Sequence, residues 1–213
     1  MIEASFDRDM EPLLLGSVQR RRKLALIIAG ASAILMLPFT KTISEETLPS
    51  EIMEIVGVIL IVFAILGRSW CTFYIGGRKG KEVIALGPYS VSRNPLYVFS
   101  LIGMFGIGAQ TGSLLLGPLF LAIGLAVFVP VILAEEKALL RRFGAVYRSY
   151  LDRVPRFGPR LSEWRDAEIV PAYPVRVLRT ATEGTLLLLA LPLCESAEWF
   201  QESGYLPALI QIP

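Results

Sequence analysis

The 213-residue chain has no histidine, two cysteines and few charges, and each shortage removes a class of chemistry. Without histidine there is no side chain whose ordinary pKa lies near neutrality, and the commonest metal ligand is missing. A histidine-based catalytic triad and a histidine-ligated metal are therefore excluded. Cys71 and Cys194 lie far apart in apolar surroundings with no C-x-x-C spacing, so neither a zinc site nor a disulfide framework is encoded. They read as small buried apolar residues. Charged residues make up 19% of the chain, with 21 basic against 19 acidic, and this near balance says nothing about a partner.

What the chain has is apolar sequence. Apolar residues make up 54% and the mean hydropathy is +0.56, too high for an ordinary soluble domain of this size. The charges sit between long apolar runs. A polar segment, 1–23, ends in Arg20-Arg21-Arg22-Lys23 ahead of a short apolar run at 24–39, which reads as a retained anchor, since Pro38-Phe39-Thr40-Lys41 follows it in place of a small-residue cleavage site. Further spans are predicted near 52–75, with Glu54 and Arg68 inside it, near 96–113, rich in glycine, and near 114–134, which carries no charge. Only Gln110-Thr111-Gly112-Ser113 separates the last two, which predicts a tight antiparallel helical hairpin. In the 166–213 extension, the apolar run Thr185–Cys194 is interrupted by Pro192; with flanking residues from Val175 it forms either a fifth crossing or an interfacial segment. The expected fold is an all-α integral membrane protein of four to five spans, with 24–165 as its core.

Basic residues orient it. They dominate before the first span, between Arg68 and Arg93, and from Glu135 to Arg165, so these regions are predicted cytoplasmic; the acidic loop Thr40–Glu51 and the uncharged 110–113 turn fit the outer side.

Two polar clusters flank the hairpin. The first is Gly87-Pro88-Tyr89 with Arg93-Asn94-Pro95-Leu96-Tyr97; the second is Glu135-Glu136 followed by Phe143-Gly144-Ala145-Val146-Tyr147-Arg148-Ser149-Tyr150. About 38 residues of helix between them measure roughly 57 Å, enough to cross a bilayer core of about 30 Å and return. Both clusters therefore meet at one membrane face. Each also has a purely structural reading. Pro95 suits the first turn of a helix and Asn94 its N-cap, where the side chain would hold free backbone amides. The carboxylate pair reads as an interfacial stop answered by Lys137, Arg141 and Arg142, with Pro130 disrupting the helix just before it. Leu139, Phe143 and Tyr147 recur at helical spacing and fit an interfacial or continuing helix, while Gly106 and Gly108 fit close helix packing.

Taken together, these residues resemble the integral-membrane methyltransferases that include isoprenylcysteine carboxyl methyltransferases and phospholipid N-methyltransferases. That family's pattern is an Arg-His-Pro-x-Tyr element preceded by Gly-Pro-Tyr, a two-helix hairpin, a Glu-Glu pair, Phe-Gly-x-x-Tyr-x-x-Tyr and a terminal Pro-Arg-Phe. Here the pattern runs from Gly87 to Pro155-Arg156-Phe157 and covers about residues 80–160, with one departure: Asn94 stands at the histidine position.

The resemblance implies S-adenosylmethionine as cofactor, held on the cytoplasmic side by the hairpin and the 135–160 segment. It implies Arg93, Asn94, Tyr97 and Glu136 as catalytic residues and Asn94, Pro95, Tyr97, Glu135, Glu136, Tyr147 and Arg156 as cofactor-binding residues. A hydrophobic or lipid-like acceptor, whether a prenylcysteine carboxylate, a phospholipid amine or a thiol, would enter from the bilayer. No metal and no nucleic-acid partner are expected. Membrane sterol reductases, which use a nicotinamide cofactor, resemble the same C-terminal architecture, but Arg142-Phe143-Gly144 and the Glu-Glu pair favour the methyltransferases. A non-catalytic protein retaining the fold is a further reading, because asparagine cannot titrate.

Overall fold

A computed structural model describes residues 40–42, 48–205 and 210–212, so segment 1–23 and the expected span at 24–39 lie outside the described residues. Four helices build the body. They are α1 (Leu48–Ile75), the single turn α2 (Pro88–Val91), α3 (Pro95–Ala109) and α4 (Leu116–Phe143). The chain continues as α5 (Ala145–Arg153), a 3₁₀ turn at Leu161–Glu163, α6 (Pro174–Thr185), a second 3₁₀ turn at Leu186–Leu189 and α7 (Ala190–Glu202). The expectation of an all-helical chain needs one amendment. Strand β1 (Thr40–Thr42) pairs in parallel with β2 (Ile210–Ile212), Thr40 opposite Ile210, which ties two distant stretches together.

Helices α1 and α4, at 28 residues each, are the two described helices long and apolar enough to cross a membrane. At 1.5 Å per residue each spans about 42 Å, against about 30 Å of hydrocarbon. Both turn large apolar side chains outward, among them Ile55, Ile59, Phe63 and Leu66 on α1 and Leu119, Ile123 and Leu133 on α4. A helix that is apolar all round and only partly covered by its own protein suits lipid rather than water.

The hairpin forms as expected, with α3 and α4 joined by a short turn whose Gly112 takes φ +70°. Its closeness depends on missing side chains. A Cβ on Gly57 would lie 2.5 Å from the Gln110 nitrogen, and one on Gly106 2.8 Å from the Gly57 oxygen, so α1 and α3 cross backbone to backbone. Gly108 likewise faces the Leu116 carbonyl across the turn. The glycines serve packing.

Of the two readings of the segment after the carboxylate pair, the continuing helix is the one found, and one expectation about α4 is corrected. The helix does not end at Glu135-Glu136 but runs on to Phe143, because Lys137, Ala138, Leu139, Leu140, Arg141 and Arg142 are all strong helix formers. Nor does Pro130 disrupt it: the residue lies inside one continuous helix, at the cost of the single bond its missing N–H would have made to the carbonyl four residues back. The break comes instead at Gly144, whose φ of +53° turns the chain into α5.

The C-terminal stretch lies antiparallel along α1. The Tyr173 ring covers Gly77, the Thr72 hydroxyl donates to Thr180 Oγ1 at 3.2 Å, and Gly184 lets α6 approach Ile65. Above α3, the segment Val154–Asp166 is laid as a strap across residues 87–94. Arg93 N–H donates to the Pro155 carbonyl (2.9 Å), Arg160 N–H to Val91 (3.0 Å) and Gly87 N–H to Arg165 (2.7 Å).

Candidate functional site

The strap, the start of α3 and the far end of α4 converge on one carboxylate. Glu136 is 7% exposed and accepts from three side chains. Arg156 Nη2 donates to Oε2 at 2.8 Å and its Nε lies 3.2 Å from both oxygens; Asn94 Nδ2 donates to Oε1 at 3.1 Å; Arg93 Nη1 reaches Oε2 at 3.4 Å. A buried carboxylate would be costly alone, and here two guanidiniums and an amide answer it. The bond to Glu136 in turn raises the Arg156 guanidinium above its usual range. Arg93 keeps one unspent donor, since its Nε is buried without a hydrogen-bond partner.

Glu135 faces the other way. It pairs with Lys79 at 3.0 Å, and Lys79 is 53% exposed. That lysine belongs to the glycine-punctuated turn Gly76-Gly77-Arg78-Lys79-Gly80 after α1, where Gly77 and Gly80 adopt positive φ. Sequence reasoning counted Lys79 only as a topology charge; a basic, glycine-rich turn facing an acidic pair was the signal that could have found it.

A tyrosine layer backs the site. Tyr147 and Tyr150 of α5 pack with Val154, their rings 5.7 Å apart, and the Tyr150 hydroxyl donates to the Tyr89 carbonyl at 2.8 Å. Burial, and then the charge of Glu136, pushes the Tyr147 phenol up to about 12, while burial drives Tyr89 and Tyr150 upward as well. All three are neutral donors at physiological pH.

The structure thus brings together Arg93, Asn94, Glu136 and Arg156, with Tyr147 and Glu135 beside them. Two expected site residues stand differently. Tyr97 sits in the α3–α4 packing with Leu101, Phe128, Val131 and Ile132, its ring 5.3 Å from Phe128. Pro95 is the first residue of α3 and acts through the backbone. Asn94 does occupy the N-cap, but its side chain makes no capping bond, being engaged by Glu136 and by the Arg156 carbonyl at 3.3 Å.

An apolar helical hairpin that carries a buried carboxylate and its guanidinium partners at one end defines a membrane-associated helical protein with a polar site at that end. A family model described as phospholipid methyltransferase matches residues 52–146, which include Arg93, Asn94, Glu135 and Glu136. The chain is 32% identical over 169 residues to the nickel-cobalt-cadmium resistance protein NccN of Alcaligenes xylosoxydans xylosoxydans, covering 79% of each. It is also 32% identical over 168 residues to the cobalt-zinc-cadmium resistance protein CzcN of Cupriavidus metallidurans, covering 79% of this chain and 77% of that one. No solved structure matches. Residues 52–146 carry the phospholipid methyltransferase family's pattern, and over most of its length the chain belongs to one family with these two relatives.

Proposed function

We propose that the chain is a membrane methyltransferase that moves a methyl group from S-adenosylmethionine to a hydrophobic, lipid-like acceptor. The observation that carries this reading is the buried Glu136 cluster, built from residues of the family-matched segment and the strap. The donor set suits the cofactor. Its ammonium would be met by Glu135 or Glu136 and its carboxylate by Arg93 or Arg156, and the buried Arg93 Nε is a donor still to be satisfied. Tyr147 offers an aromatic face for a cation. When bound, the cofactor supplies an electrophilic methyl on a sulfonium.

The chain's own residues then have little proton chemistry to perform. Displacement at a methyl group needs alignment and exclusion of water more than acid or base. Arg93, Asn94 and Arg156 hold Glu136 in one orientation, the strap covers it, and the tyrosine layer closes the side facing α5. Basic loops support a cytoplasmic cofactor face, with the acceptor reaching the site from the bilayer. The domain reading that follows is a 24–165 methyltransferase-like core, with 135–160 as its cofactor segment.

The metal-resistance names belong to the relatives. Among the described residues, no three His, Cys, Asp or Glu side chains converge as a metal site. A link to metal resistance in this chain would run through the methylated acceptor. The test is binding of labelled S-adenosylmethionine to the purified protein, followed by lipid extracts from cells with and without the gene, searched for a species heavier by one methylene. Binding of NADPH in its place would favour a reductase, and binding of neither would overturn catalysis.

A further inference from the structure

Asn94 breaks a local rule. Asparagine is among the best N-caps through its side-chain oxygen, yet at the start of α3 that bond is not made. Departures of this kind concentrate at functional positions. The amide instead uses one nitrogen for two acceptors on separate elements: the Glu136 carboxylate of α4 at 3.1 Å and the Arg156 carbonyl of the strap at 3.3 Å. Arg156 closes the triangle, because its own guanidinium grips the same carboxylate. One side chain therefore ties the covering segment to the charge it covers.

We propose that Asn94 is a positioning residue that fastens the strap to Glu136 with both hydrogens of its amide, so that the site stays assembled through the pH range in which an imidazole would titrate. A primary amide carries two N–H donors at any physiological pH. A neutral imidazole carries one and can serve only one of the two acceptors; an imidazolium carries two. Asparagine here thus removes a pH dependence that histidine would introduce. The charged groups around position 94 are Arg93 beside it, Glu136 from α4 and Arg156 from the strap; Tyr147 of α5 lies within the field of Glu136, and Glu135 of α4 faces away, paired with Lys79. The carboxylates would raise an imidazole placed there and the guanidiniums lower it, so its midpoint could move. The sign of the effect does not.

The test uses the full-length protein in detergent and the variants Asn94→His and Asn94→Asp. Exchange of the Arg93 and Arg160 amides, which bond across the strap, is followed by mass spectrometry at about pH 5.5 and about pH 8, corrected for intrinsic exchange. Native protection should be equal at both. Asn94→His should match it at the lower pH and exchange about tenfold faster at the higher, the value of one hydrogen bond to a charged group. Asn94→Asp, isosteric but without donors and repelled by Glu136, should exchange faster at both. Cofactor affinity, a readout that rests on the function proposed above, should follow the same pattern. Equal protection of Asn94→His at both pH values, or a native-like Asn94→Asp, would overturn the proposal. Should Asn94→Asp fail to fold, the pH comparison within Asn94→His still decides. A native protein that binds no cofactor but shows the expected exchange pattern upholds the fastening role and defeats only the methyltransferase reading.

Discussion

Replacing each member of the Glu135-Glu136 pair by glutamine should give unequal results, although the two are adjacent in sequence. Glu136→Gln keeps the shape but removes the charge that answers Arg93 and Arg156, and it turns an NH₂ toward one of the guanidiniums. Breaking a buried ion pair costs about 3–5 kcal/mol. Arg156 is 40% exposed, so water screens part of that loss, leaving about 2–3 kcal/mol. Glu135→Gln disturbs a pair whose lysine is mostly in solvent, worth about 0.2–1 kcal/mol. If Glu136 also orders the cofactor's binding groups, affinity should fall by about 30–150-fold for Glu136→Gln and by less than about fivefold for Glu135→Gln. Tryptophan-fluorescence melts in detergent read the stability arm, and calorimetric titration with S-adenosylmethionine reads the affinity arm. Equal destabilisation by the two substitutions would refute the reasoning, whatever the cofactor does.

Other outcomes follow from the same geometry. Gly57→Leu should lower stability by at least about 1–3 kcal/mol in thermal melts, because its Cβ would meet the backbone of Gln110 and Gly106, which cannot yield; Gly80→Ala, with open space around it but positive φ, should cost only about 1 kcal/mol. Tyr150→Phe leaves the Tyr89 carbonyl unanswered and should cost about 1–3 kcal/mol by the same assay. Tyr147 titrates at about 12 against an ordinary 10.0, so its protonated phenol contributes stability that is fully present below pH 10 and lost as pH rises through 12; Tyr147→Phe should therefore unfold at higher pH in an alkaline titration. A Thr72→Cys/Thr180→Cys double variant should crosslink under mild oxidation in membranes, and absence of the crosslink would displace α6 from α1.

Much of the site was legible because membrane length acts as a ruler. Arg93, Asn94 and Glu136 could be brought together from sequence since an apolar run of known rise had to return to the face it left. Tyr97 shares a helical face with Leu101, and its packing in the α3–α4 core could not be separated from a site role in the sequence, because that periodicity marks packing as readily as it marks a site. Asn94 was expected to cap α3 because capping is a local preference; the side chain is instead oriented by what its Nδ2 donates to, a carboxylate forty-two residues away. The course of α6 was not legible, since it depends on contacts between segments that no local pattern couples; Thr72 and Thr180 lie 108 residues apart.

The order in which the chain is made has a consequence for Glu136. Arg93 and Asn94 precede it, whereas Arg156 follows twenty residues later, about one to four seconds at ordinary synthesis rates. When α4 first packs against α3, the carboxylate already has one cation and one amide waiting, and its strongest partner has yet to emerge. Chain order alone therefore makes Arg93 the first cation available to Glu136, although in the finished protein its contact is the longer one, 3.4 Å against 2.8 Å for Arg156.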